Sequence, residues 1–204
     1  MSRKNVRQPQ DILRDTVKQF KASHELKEIS SARMEYSIYN YKEIDETFMD
    51  AAKEIFLPTD EDKLMERQIL ELQNPDDMIR FMRKAMNGAN RILLRKILID
   101  HEDELTDGIK KKSITIRQDY FIENALYFFL HSRENNSEWI YDNLTEFYDP
   151  YMRSMMCLVI GFRGKLKYIQ RMMDETDYFL RTYPDEEFDQ GPLLAVYELS
   201  ARFL

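Results

Sequence analysis

Residues 139–161 carry two apolar stretches on either side of Tyr148-Asp149-Pro150, and this arrangement restricts the fold more than any other part of the chain. Ile140, Leu144 and Phe147 recur at helical spacing before the turn; Met152, Met155, Met156, Val159 and Ile160 recur after it. The pattern predicts a helix over about 137–147 and a second that stops at Gly161-Phe-Arg-Gly164. Pro150 suits the first position of that second helix, where its missing N–H removes no hydrogen bond. Asp149, just before it, can cap the free N–H groups. One such hairpin cannot bury its apolar face alone, so it requires neighbours on both sides.

The run Asp149-Pro150-x-Met152-Arg153-x-Met155-x-x-Leu158-x-x-Gly161 resembles the turn and second helix of a HEAT repeat. That family often has small residues where Met155 and Met156 stand, so the packing there departs from its pattern. The resemblance covers one repeat closely and three others loosely. It implies an all-α fold, an α-α superhelix of antiparallel helix pairs of the HEAT or armadillo kind, with second helices lining the concave face. It implies no particular activity, because such repeats serve many unrelated roles.

The rest of the chain fits that reading. Five Gly and six Pro in 204 residues are too few for the turns of an all-β fold. Pro9-Gln-Asp11 opens a predicted helix with Ile12, Leu13, Val17, Phe20 and Leu26 inward. Residues 34–41 alternate, as a short strand or a bridging loop would, and 42–56 have the pattern of an amphipathic helix. Thr59-Asp-Glu-Asp62 begins a helix with Leu64, Ile69, Leu70 and Leu72 inward, and Asn74-Pro75-Asp76-Asp77-Met78-Ile79-Arg80 echoes the later turn. A second pair is expected over 89–104 and 117–131, broken at Thr106-Asp-Gly108, with Lys110-Lys111-Lys112 as a basic loop. The last pair joins 166–183 to 192–203 across the acidic turn Pro184-Asp-Glu-Glu-Phe-Asp189. The turns then fall near Pro75, Ser113, Pro150 and Gly191, at spacings of 38, 37 and 41 residues. Residues 59–204 read as about four pairs, and residues 1–58 as a degenerate repeat or cap continuous with them in one domain. An ordinary helical bundle is the other arrangement this pattern allows.

The chemistry is sparse. A net charge of −7 argues against general binding to nucleic-acid phosphates. Cys157, the single cysteine, cannot form an internal disulfide and sits on an apolar helix face, which suits a reducing cytoplasm. No apolar run approaches the ~20 residues that span a membrane. There is no Gly-x-Ser-x-Gly elbow, no phosphate loop and no zinc spacing.

Two enzyme readings follow from HEAT-like relatives. The deoxyhypusine hydroxylases hold iron with several His-Glu pairs, and this chain has only His24-Glu25 and His101-Glu102. The alkylpurine DNA glycosylases use concave aromatic and acidic residues, types that Trp139, Tyr141 and Asp142 supply. Neither set is complete, so no metal or cofactor is expected.

The favoured expectation is a non-catalytic protein–protein interaction module. On the predicted second helices the polar positions include Arg80, Arg83, Lys84, Arg117, Glu123, Arg153 and Arg202. Arg80, Arg83, Lys84 and Arg117 would form a basic patch on an acidic protein and attract an acidic protein segment. Alternatively they pair with Glu66, Asp76, Asp77 and Asp119. In HEAT repeats Asp and Arg at the positions of Asp149 and Arg153 often form a ladder between repeats, a structural role. Arg163, Lys165, Lys167 and Arg171 add a further basic group.

Overall fold

A computed structural model describes residues 8–27, 58–72, 74–85, 91–115 and 119–204. The alternating segment 34–41, the expected helix 42–56 and Arg117 lie outside the described residues. The fold is all-α: among the described residues there is no strand. The helices are α1 (Pro9–Ser23), α2 (Asp60–Leu70), α3 (Pro75–Ala85), α4 (Arg91–Thr115), α5 (Asp119–His131), α6 (Ser137–Asp142), α7 (Pro150–Arg163), α8 (Ile169–Thr182) and α9 (Gln190–Phe203). A short 3-10 turn, Leu166–Tyr168, leads into α8. These elements fall into two compact units. One holds α1, α6, α8, α9 and α7 from Ser154 onward; the other holds α2 to α5 with residues 143–153.

In the first unit α8 and α9 pack through Met172, Met173, Thr176 and Phe179 on one side and Leu193, Val196 and Leu199 on the other, all buried. From Ser154 to Arg163, α7 is buried on every side, Cys157 included, as a helix at the centre of a core must be. It runs through Gly161 and ends at Arg163, within the expected stop Gly161–Gly164. Arg202 closes it by donating to the carbonyls of Gly161 (2.6 Å) and Gly164 (2.9 Å). A cation is favoured at that end, where unpaired carbonyls gather negative charge. Arg202 is therefore a helix cap, not a residue reserved for a partner.

Pro9 occupies the first turn of α1 as expected, and Val17 is buried. Ile12 is not inward: it is 52% exposed. The helix stops at Ser23 instead of reaching Leu26. The His24 ring stacks on Phe20 at 3.9 Å and its Nδ1 bonds the Phe20 carbonyl at 2.8 Å. That carbonyl is the acceptor a continuing helix would have used for the next backbone N–H.

In the second unit Thr59 and Asp62 make a reciprocal capping box at the start of α2. Ile69 is buried, whereas Leu64 and Leu70, expected inward, are exposed. Asn74 caps α3 through its side-chain oxygen, which accepts from the Asp76 N–H at 3.0 Å. Met78, Ile79 and Met82 carry the buried face of α3.

The largest correction concerns α4. It is continuous over 25 residues, so Thr106-Asp107-Gly108 is not a break and Lys110 to Lys112 are helical, not a loop. Ser113, expected at a turn, is fully buried inside the helix. The reason is packing. Leu98, Glu102, Leu105, Ile109 and Ser113 form one buried stripe at three- and four-residue steps, and it continues straight past Gly108. A helical Gly costs about 1 kcal/mol relative to Ala, less than such a stripe returns. Gly108 itself is exposed, and an added methyl would meet nothing within 4 Å. Gly108→Ala should therefore raise stability by about 1 kcal/mol in urea unfolding. A loss would mean the helix is not continuous there.

Asp149 caps α7 as expected, its Oδ1 accepting from the N–H groups of Tyr151 (2.8 Å) and Met152 (3.1 Å). The helix before it is shorter than expected, ending at Asp142, yet Ile140, Leu144 and Phe147 are all buried. The apolar spacing thus marks the buried side even where the backbone leaves the helix after Asp142.

Candidate functional site: a basic face on α3

Asp77, Arg80, Phe81 and Lys84 stand three and four residues apart and so share one face of α3. With Leu72 they line an open groove of 480 Å³. Lys84 is exposed, Phe81 and Leu72 are half-buried, and Arg80 lies 3.4 Å from Asp77 in an exposed ion pair. Such a pair contributes little to stability, so breaking it costs little. The groove thus combines two cations with an aromatic ring and an aliphatic side chain.

Arg83 does not belong to this surface. One residue before Lys84, it is turned by about 100° around the helix. It is buried, donating from Nε to Asn124 Oδ1 at 3.1 Å and pairing through Nη1 with Glu123 Oε2 at 2.7 Å. Asn124 donates onward to the Asp76 carbonyl at 3.2 Å. The Asp76 carboxylate is paired with Lys112, whose ammonium lies 5.2 Å from the Phe121 ring centre. Five polar side chains thereby tie α3, α4 and α5 together. Arg83, expected to bind a partner, is instead the centre of this internal network. The groove brings together Arg80 and Lys84, while Arg117 lies outside the described residues.

The alternative pairing is realised in part and with different partners. Arg80 does take Asp77, but Arg83 takes Glu123, and Asp76 takes Lys112. Missing from the sequence reading was Asn124. A buried amide beside a buried Arg shows no periodic signal, because it occupies a position that spacing alone assigns to the core.

The remaining candidates are dispersed. His24 Nε2 faces Asp177 Oδ1 at 3.1 Å. His101 is partly exposed near Glu104, but its neighbour Glu102 is buried and accepts from the backbone N–H groups of Arg133 (2.6 Å) and Glu134 (3.1 Å). Glu102 thus fixes the turn after α5. Tyr141 stacks on Tyr168 at 4.2 Å. Among the described residues, no three His, Cys, Asp or Glu side chains stand together so as to hold a metal ion. None of the described helices is long and apolar enough to cross a membrane.

The second basic group is also paired. Lys165 and Lys167 converge on Glu138 at 3.5 and 3.3 Å, and Arg171 bonds Glu175 at 2.8 Å. The Lys167 hydrogen bond, followed by the charge of Lys165, holds the Glu138 carboxyl below the usual carboxylate range. The Lys167 ammonium is raised in turn, mainly by the bond to Glu138. Since folding lowers the Glu138 value, its stabilising contribution is complete above the unfolded carboxylate value and is lost as pH falls through the lowered one. For Lys167 the sign reverses: the contribution is complete below the unfolded lysine value and lost as pH rises through the raised one. Carbon-detected NMR titration of Glu138 should give a low midpoint that Lys167→Met returns toward the ordinary value. A midpoint unmoved by that change would contradict the pairing.

No family model matches the chain, and no curated protein or solved structure matches it either.

Proposed function

We propose that this protein is a non-catalytic protein–protein interaction module whose α3 groove receives an acidic segment of a partner protein. The observation that carries the reading is the composition of one helix face: Arg80 and Lys84 flank Phe81, with Leu72 beside them. Carboxylates in the ligand would answer the cations. An apolar side chain between them would cover Phe81 and Leu72, and burying one such side chain contributes about 1.5–3 kcal/mol. Opposite fields speed and orient the encounter, and the wrong sign of charge is rejected. Helix pairs joined by short turns, and the Asp149 cap on Pro150, support grouping the fold with the HEAT- and armadillo-like repeats. A cytoplasmic location is inferred from the lone buried thiol of Cys157, which needs no oxidising compartment.

The test is fluorescence anisotropy with a labelled peptide that alternates Glu with Leu. It should bind and weaken with added salt. Reversing both charges, Arg80→Glu with Lys84→Glu, should reduce affinity about tenfold or more, equivalent to ~1.4 kcal/mol. A peptide with Lys in place of every Glu should not bind. Equal binding by the reversed protein, or by the Lys peptide, would sink the proposal.

A further inference from the structure

A second groove, of 260 Å³, lies between α1 and α9 in the first unit. Its cationic side comes from Arg14, Lys18 and Lys21, at positions i, i+4 and i+7 of α1 and hence on one helix face. Val17, Ala201 and Leu204 supply an apolar floor. Lys21 is partly engaged, with Nζ 3.2 Å from Ser200 Oγ and 4.2 Å from the Tyr197 ring centre. Arg14 donates to the Leu204 carbonyl at 3.0 Å and, in an exposed pair, to Asp11 Oδ1 at 3.3 Å. Lys18 is exposed.

The same unit presents the complement. The turn between α8 and α9 carries Pro184, Asp185 and Glu186, all exposed. It lies at the other end of the helix pair. Near the C-terminal end of α1, Lys27 bonds Gln190 and pairs with Glu187, at the start of α9, while Arg14 reaches Leu204 at the far end. The two helices are therefore antiparallel, and a 14-residue α9 separates the turn from the groove by roughly 20 Å. No copy can fold its own turn into its own groove across that distance.

We propose that the α1–α9 groove receives the 184–186 turn of a second copy of this chain. The Pro184 ring would cover the apolar floor, and Asp185 and Glu186 would meet Lys18 and Arg14. Because groove and turn are different surfaces, the contact is head-to-tail, and each added copy offers a new turn and a new groove. Association therefore proceeds beyond a dimer to longer species. Both ends of the contact carry charge, so exchanging the charges identifies it.

The experiment is sedimentation equilibrium of the full chain at low ionic strength, with circular dichroism to check that each variant is folded. The wild-type mass should rise with concentration past the dimer value. Lys18→Glu alone, or Asp185→Lys with Glu186→Lys alone, should raise the dissociation constant at least tenfold. Mixing the two variants should restore association, because the intact turn of one then finds the intact groove of the other. A wild type that stays monomeric overturns the proposal. So does association that Lys18→Glu leaves unchanged, or a mixture no more associated than its components.

Discussion

Gly191→Ala is expected to destabilise the protein by about 3 kcal/mol or more, at or above the upper end of the usual cost of forcing a methyl into a packed core. A methyl on Gly191 would lie 2.7 Å from the Ser154 carbonyl carbon, and closer still to that carbonyl's oxygen and to Ser154 Oγ. Carbonyl atoms belong to the backbone of α7 and cannot rotate aside. Ser154 is itself buried, its hydroxyl donating to the Phe188 carbonyl at 2.6 Å. Relief would require α7 and α9 to move apart. A second close approach opposes that movement: a methyl on Gly161 would stand 2.6 Å from Ala195 Cα and 2.9 Å from its Cβ. Gly161→Ala should accordingly also destabilise, by about 1–3 kcal/mol. Neither glycine has a positive φ, so Ala is conformationally acceptable at both and the loss arises from contact alone. Urea midpoints measure it. Gly108→Ala, also helical but open, provides the control of opposite sign. A Gly191→Ala protein as stable as wild type would mean that α7 and α9 do not approach this closely.

The second large effect concerns the network on α3 to α5. Arg83→Met should cost about 2–3 kcal/mol, at or below the lower end of the cost of breaking a buried ion pair, because Glu123 keeps some contact with solvent. Met fills much of the volume, so the cost comes mainly from the groups left behind: a Glu123 carboxylate without its ion-pair partner at 2.7 Å and an Asn124 oxygen without its donor. Combining Arg83→Met with Glu123→Leu should recover part of the loss, because the stranded charge is then gone. Lys84→Met, one residue away but exposed, should change stability by less than about 0.5 kcal/mol. If Arg83→Met were as mild as Lys84→Met, Arg83 would be a surface residue after all, and the basic patch would regain it.

How far the sequence could be read depended on which interactions decide each feature. Local chemistry was legible. The Asp149 cap on α7, the Thr59–Asp62 box and Pro9 in the first turn of α1 are each set by neighbours a few residues away. Buried apolar periodicity was legible too, at Ile140, Leu144, Phe147 and along α7. The continuity of α4 was not, because Thr-Asp-Gly is a local break signal and the stripe that overrides it acts only when packed. The phase of Arg83 was missed for a related reason. Three basic residues within five positions suggest one patch, but steps of one and three residues place Arg83 and Lys84 on different sides of the helix. Only a partner such as Asn124, 41 residues further along, decides which side is inside.

Isotope-labelled protein titrated with the Glu–Leu peptide, and followed by amide chemical shifts, tests the proposed role most directly. The largest changes should fall on Leu72, Asp77, Arg80, Phe81 and Lys84, and vanish in the Arg80→Glu, Lys84→Glu protein. Changes concentrated on any other surface, or no change at peptide concentrations well above a millimolar dissociation constant, equivalent to about 4 kcal/mol of binding, would contradict it.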